Sequence, residues 1–370
     1  MTDELAERLL AKVMGWGLEE VRMNLPVIQA LAMWKYDAYE RFSHGMRFVE
    51  SLAFWLSQFE TIEERRIAFD FVRRQLVFLS EAEMNHLVEL AYPDIIRPQL
   101  LQRMAREAGL PLLRPGAIAA EREFHIRQRQ CLFLGLSDGA RTDVFRRSNN
   151  RDLSHEQILL TYEVEGGRAV KLLEELKRSL SGIVGGEPPA DALKFRTAIL
   201  LDDFSGSGRS YLRADGSDYS GKIARFHRNL FTPNSGTSAL FDLPNLEVLV
   251  VLYSGTHQAR EHLEEQMTNL WTPRGIFWKL SIIYDLDSRL CILPGGGHAM
   301  ERLVEKYYDN AIQDEHTDVG GSDVKYGFAR CGLPLVLPHN TPNNSLALLW
   351  AEINEMRALF PRVQRPRRQM

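Results

Sequence analysis

Near residue 130 the spacing of apolar residues changes, and this change constrains the fold more than any other feature of the chain. Before it, apolar residues recur at helical spacing, as in Phe48, Leu52, Trp55, Leu56 and Phe59, and the register continues through residues 63–79 and 81–90. Pro93, Pro98, Pro111 and Pro115 divide this stretch into several helices. After it, residues 131–136, 158–164, 197–201, 246–253 and 278–284 are apolar runs of strand length, with helical patterns at 169–180 and 260–270. Strands separated by helices predict βαβ units and a mostly parallel sheet flanked by helices, with ligands at the strands' carboxyl ends. The expected class is therefore α/β with an N-terminal all-α region. The boundaries fall at 1–128 for the helical region, 129–352 for the α/β domain and 353–370 for a basic tail, in which residues 361–368 carry four arginines. The stripe Trp34, Tyr36, Tyr39, Phe42, Phe48, Phe54 and Trp55 is expected to be helical core, because an amphipathic helix must bury one face. Residues 213–221 and 315–326, rich in Gly and Asp, read as loops.

Composition narrows the function classes. A net charge of −4 over 370 residues argues against coating by nucleic acid or by an anionic membrane. Cys131, Cys291 and Cys331 are too few and too scattered for a disulfide framework or a zinc site, and Cys331 reads as a buried small apolar residue. The acidic start Met1-Thr2-Asp3-Glu4 does not read as a signal peptide, and no apolar run reaches the ~18 residues of a membrane span. A cytoplasmic location with no membrane partner is expected. The apolar helical region is compatible with a homo-oligomer.

The most informative stretch runs from Ala198 through Leu201 into Asp202-Asp203-Phe204-Ser205-Gly206-Ser207-Gly208-Arg209-Ser210. A buried strand ends in two acids and then in a loop of Gly and Ser. Glycine lets consecutive backbone N–H groups converge on a phosphate, Ser207 and Ser210 add hydroxyl donors, and a following helix adds its positive end. Asp202 and Asp203 can accept from ribose hydroxyls and hold a hydrated Mg²⁺. The plain alternative is an acidic turn after a core strand.

This stretch resembles, without a gap, the phosphoribosyl-pyrophosphate signature of type I phosphoribosyltransferases. Ile199, Leu200 and Leu201 match the strand and Asp202-Asp203 the acids, and Ser207-Gly208-Arg209-Ser210 match the phosphate cradle. Ser205 and Gly206 depart from it. Purine-salvage members carry an Asp at the position of Gly206, and Gly does no proton chemistry, which argues against purine salvage.

The resemblance assigns further positions. Ser137-Asp138-Gly139-Ala140, after the strand at 131–136, stand where the family has its pyrophosphate loop. Arg141 follows with a guanidinium suited to pyrophosphate oxygens. Residues 145–152 are polar and stand at the place of the family's mobile lid. Arg146, Arg147 and Arg151 supply charge there that nucleic-acid phosphates could also meet, and the smaller ligand is favoured. His257 reads as a helix-entry residue. Asp285 and Asp287 follow a strand without forming a motif, and Gly295-Gly296-Gly297-His298 reads as a connection rather than a second phosphate loop. His339, Asn340, Asn343 and Asn344, in a proline-stiffened segment, look like the hood over the acceptor.

The helical N-terminal region, the transferase-like core and the terminal segment 333–345 together resemble a phosphoribosyltransferase-like family of bacterial conflict and anti-phage systems. That resemblance implies an effector that binds Mg²⁺–phosphoribosyl pyrophosphate and transfers phosphoribosyl to a base, a nucleotide or a macromolecule. Asp202, Asp203 and Arg141 would be catalytic, residues 205–210 would bind phosphate, and Asp202 and Asp203 would meet the metal. Protein partners encoded in such loci, a reverse transcriptase or an ATPase, are implied with it. The same pocket also suits a non-catalytic sensor of a phosphorylated nucleotide or sugar, since fold does not fix function. A purely structural subunit is the third reading, and it predicts a blocked pocket.

Overall fold

The computed structural model describes residues 2–42, 46–216, 218–313, 317, 319–321 and 323–362. It divides into two compact units, Met84–Leu286 and Met1–Glu83 with Asp287–Met370. The first segment contains α1 (Asp3–Met14), α2 (Leu18–Trp34), α3 (Phe48–Ser57), α4 (Ile62–Arg74) and the two-residue strand β1 (Val77–Phe78). Gly15 ends α1 at a φ of 64°, a left-handed cap that glycine adopts without Cβ strain. Thr61 and Glu64 form a reciprocal capping box that starts α4. Of the aromatic stripe, Tyr36, Tyr39, Phe48 and Trp55 are buried as expected, whereas Trp34, at the end of α2, is 79% exposed.

The middle unit begins within α5 (Glu81–Leu90), which runs on through a π turn over Ala91–Ile96 into α6 (Arg97–Ala108) as one helical stretch. Pro93 therefore does not separate two helices. It sits in the wide turn, where its missing N–H is accommodated. Then follow α7 (Pro115–Ala120), α8 (Arg122–Arg129), β2 (Cys131–Gly135), α9 (Thr142–Ser148), β3 (Ile158–Leu159), α10 (Gly166–Val184) and β4 (Thr197–Ser205). A hairpin of β5 (Arg213–Asp215) and β6 (Asp218–Ser220) precedes α11 (Lys222–Phe231), α12 (Gly236–Leu240), β7 (Glu247–Thr256), α13 (His257–Trp271) and β8 (Phe277–Leu286). The sheet is parallel throughout, in the order β3-β2-β4-β7-β8, with Leu132 beside Ala198 and Ala198 beside Val248.

Both faces of the central strands are covered, which is why they read as continuous apolar runs. On one face Leu132, Leu134, Leu200, Val250 and Leu252 pack against Leu172 and Leu176 of α10 and Leu263 and Met267 of α13. On the other, the ring of Phe133 meets those of Tyr92 and Phe145. Three local expectations change. The run at 158–164 keeps only two strand residues, and Leu160 is 71% exposed. The segment at 145–148, expected as part of a lid loop, is the end of α9, and residues 213–215 pair with residues 218–220 in a hairpin where a plain loop was expected.

The last segment belongs to the first unit. It contributes α14 (Ala299–Tyr307) and β9 (Leu335–Val336), and β9 pairs in parallel with β1. The Trp55 indole N–H donates to the Leu348 carbonyl at 2.7 Å. Phe360 stacks on Phe42 and Phe48 and meets Tyr36 and Tyr39 edge-on. The compact units thus divide the chain elsewhere than at 128 and 352. Residues 84–128 group with the sheet, and Leu359 and Phe360, inside the span read as tail, are core. Residues 363–370 of that tail lie outside the described residues.

Candidate active site

β4 carries Asp202 and Asp203 toward the carboxyl end of the sheet, between β2 and β7. The turn after β2 lies beside them. Ser137 Oγ donates to Asp202 Oδ1 at 2.5 Å. Gly139 packs against Asp203 so closely that a Cβ built on it would stand 2.5 Å from the carboxyl carbon. The carbonyl of Ala140 accepts from the buried Tyr253 hydroxyl at 2.6 Å, which ties the turn to β7. Asp138 is exposed and opens a short 3-10 turn over Asp138–Ala140. Arg141 takes a φ of 45°, a left-handed conformation uncommon outside glycine, and its Nη1 donates to Asn85 at 3.0 Å. The structure thus brings the acid pair and the predicted pyrophosphate turn together.

The loop after the acids is built from its own side chains. Ser205, a departure from the family signature, is buried, and its Oγ accepts from the Gly208 N–H at 3.1 Å. That amide therefore faces inward rather than toward a ligand. Gly208 has a φ of 74°, and a Cβ there would come 2.8 Å from the His262 ring. Thr256 Oγ1 donates to the Gly206 carbonyl at 2.6 Å. Ser207 is buried, Arg209 half-buried and Ser210 exposed. The helix expected to aim its positive end at a phosphate is α11, and its first two amides are engaged. Lys222 N–H donates to the Ser210 carbonyl and Ile223 N–H to the Tyr211 carbonyl.

The two acids differ electrostatically. Asp202 is fully buried, and Lys222 Nζ approaches its Oδ2 to 2.6 Å. Asp203 is half-buried, and its carboxyl pKa is raised to about 7, first by burial and then by the negative charge of Asp202. Burial, followed by the two carboxylates, also holds the Tyr211 and Tyr253 hydroxyls well above their ordinary value. Thr256, read from sequence as part of a strand-to-turn edge beside the phosphate loop, lies there, whereas Lys222, Tyr211, Tyr253 and His262 are site residues that the sequence reading missed. Only Gly221-Lys222, a glycine and a lysine at a helix start, offered a signal.

A metal fits this donor set only through the ligand. Both Asp202 oxygens are occupied by protein donors, and among the described residues no group of three or more His, Cys, Asp and Glu could hold an ion. Mg²⁺ keeps several waters and often takes one carboxylate plus substrate phosphates, a share that Asp203, whose Oδ1 also accepts from the Phe204 N–H at 2.8 Å, can supply.

The remaining sequence candidates have local duties. His257 opens α13 behind the Thr256 cap, and Asp285 pairs with Arg260 at 2.9 Å. In the other unit, Asp287 pairs with Arg289, and the loop at 295–298 caps α14. His339, Asn340, Asn343 and Asn344 also lie in that unit. There the His339 carbonyl accepts from Arg41, Asn340 N–H donates to the Leu337 carbonyl, and the Asn343 carbonyl accepts from Phe328 N–H. The amide of Asn344 is buried and donates to the Phe328 carbonyl at 3.1 Å. Cys331 is buried as expected. No helix among the described residues is long and apolar enough to cross a membrane.

A family model described as PRTase-CE matches residues 52–362. No curated protein and no solved structure matches the chain.

Proposed function

The chain belongs to the PRTase-CE family, which is phosphoribosyltransferase-like, and from that premise we propose that it binds phosphoribosyl pyrophosphate as its Mg²⁺ complex and transfers the phosphoribosyl group. One observation carries this reading. The acids of β4, the turn 137–141 and the loop 206–210 meet at the carboxyl ends of parallel strands, where α/β sheets bind their ligands.

In this reading the 5′-phosphate lies on residues 206–210, with the Ser207 and Ser210 side chains near it, and the ribose hydroxyls donate to Asp203. The turn Ser137-Asp138-Gly139-Ala140 and Arg141 receive the pyrophosphate, and the metal arrives on the substrate. The anomeric C–O bond to pyrophosphate breaks, that oxygen keeps the electron pair, and the acceptor forms the new bond at the same carbon. Gly206 offers no base, so the chain acts by positioning and by stabilising charge as it separates. The acceptors to be screened are bases, nucleotides and macromolecules. The resemblance of residues 333–345 supports placing the activity in an anti-phage effector, working with partners encoded beside it.

The test is calorimetric titration of phosphoribosyl pyrophosphate with Mg²⁺, followed by a screen of acceptors for pyrophosphate release. Binding with release supports the transferase. Binding without release for any acceptor supports the sensor, and no binding by folded protein overturns both for this ligand. Loss of phage protection in cells carrying the locus with Asp203→Asn tests the effector role.

A further inference from the structure

Asp202 and Asp203 are adjacent in sequence but stand in different surroundings. Asp202 is completely buried and accepts hydrogen bonds on both of its oxygens. Ser137 Oγ and the Asp203 N–H reach Oδ1 at 2.5 and 3.1 Å, and Lys222 Nζ reaches Oδ2 at 2.6 Å. The three donors come from the turn after β2, from β4 itself and from the first turn of α11.

The placement of Lys222 is a product of the fold. The chain leaves the loop at Leu212, makes the β5–β6 hairpin and returns at Gly221 with a φ of 112°. A Cβ at Gly221 would run into the Tyr211 carbonyl, so only glycine lets the returning chain come this close. Lys222 N–H and Ile223 N–H then bond the carbonyls of Ser210 and Tyr211. The ammonium group lies 4.8 Å from the centre of the Tyr211 ring, and the Tyr211 hydroxyl donates to the Phe204 carbonyl at 2.9 Å. Lys222 is thus held between the carboxylate and an aromatic face.

A buried carboxylate with its charge matched has little to offer a ribose hydroxyl or a metal-bound water. To reach it, a ligand would displace Ser137 or Lys222 and leave a buried group unpaired, which is costly. We propose that Asp202 does not meet the ligand but acts as a charged strut, with Lys222 as its counter-ion and as a positioning residue for the site. The strut joins the turn 137–141, the acid strand and the exit of the loop 206–210 before any ligand arrives, so their ordering does not have to accompany binding. The ligand half of this inference rests on the proposed phosphoribosyl-pyrophosphate reading. The strut half does not.

The experiment combines thermal unfolding with calorimetric titration of Mg²⁺–phosphoribosyl pyrophosphate. The proteins are wild type, Asp202→Asn, Lys222→Met, the double variant, Lys222→Arg and Asp203→Asn. Each single change in the Asp202–Lys222 pair is expected to lower Tm and, at a temperature where the protein is folded, to weaken binding on the order of tenfold. The double variant should recover much of both losses, because the two changes remove one interaction. Lys222→Arg should keep both properties near wild type, whereas Asp203→Asn should lose binding. Asp202→Asn with a wild-type Tm and no binding would overturn the proposal, as would additive Tm losses in the double variant. If the wild type does not bind, the phosphoribosyl-pyrophosphate reading fails while the Tm cycle still decides the strut. If Lys222→Met does not fold, Ser137→Ala takes its place in the cycle, since it removes one bond from the same carboxylate.

Discussion

The glycine-rich loops at 206–210 and 295–298 manage nearby carboxylates in opposite ways. In the loop at 206–210 the acids come before the glycines, and Asp202 is matched by Lys222 from the far side of a hairpin. In the loop at 295–298 the acid follows. Glu301, in the first turn of α14, accepts from the Gly295 N–H at 2.9 Å and the His298 N–H at 2.7 Å, while His298 Nδ1 accepts from Met300 N–H. The second loop therefore supplies its own anion and is a helix cap. Glycine content alone does not make a phosphate site. What matters is whether the chain already fills the place a ligand's charge would take.

Substitutions at the glycine that brings Lys222 back to Asp202 and at a glycine of the capping loop should separate the two regions most strongly. Gly221→Ala meets both a positive φ and the Tyr211 backbone, so a loss of about 3 kcal/mol or more is expected in urea unfolding. Gly295→Ala has a φ of 79° but nothing within 4 Å of its Cβ, and should cost about 1–2 kcal/mol. Equal losses would break the comparison. Next in size, Gly139→Ala drives a methyl group into the Asp203 carboxylate and should cost about 1–3 kcal/mol. Adding Asp203→Ala should return most of that stability, and a loss unchanged in the double variant would place the strain elsewhere.

Glu301→Ala removes the anion from the capping loop. It should cost about 1 kcal/mol and leave phosphoribosyl-pyrophosphate affinity at the wild-type value, measured by unfolding and calorimetry on one preparation. A fall in affinity would contradict the assignment of that loop to capping alone. A pH dependence arises outside both loops. Burial, and then Arg274, pulls the His227 pKa from 6.5 down to about 4, with Arg228 acting the same way and Asp218 against it. His227 Nε2 is buried without a hydrogen-bond partner among the described residues, beside the Trp271 ring. Between pH 6.5 and 4 the unfolded chain takes up a proton that the folded chain refuses, so stability should decline as pH falls through that window. His227→Gln should flatten the decline, and an unchanged profile would assign it to another group.

The acid pair and its strand were legible in sequence because a strand covered on both faces leaves an unbroken apolar run, as at Ile199, Leu200 and Leu201, ending abruptly in charge. The turn at 137–140 was legible through its small residues after a second such run. Lys222 was not. It lies 20 residues from Asp202, beyond a hairpin whose composition resembles a surface loop. Residues 145–148 were misread as loop because α9 is short and polar, so it leaves little apolar periodicity.

Local patterning determined the α/β class, the order of the long strands and helices, and the position of the acids and glycines, because each depends on neighbours a few residues apart. Tertiary structure alone decided which carboxylate is matched and buried, that Gly139 stands on Asp203, and that Phe360 joins Tyr36 and Phe48 in one core. Those outcomes depend on contacts between segments far apart in the chain, and apolar spacing carries no record of which distant segment will arrive.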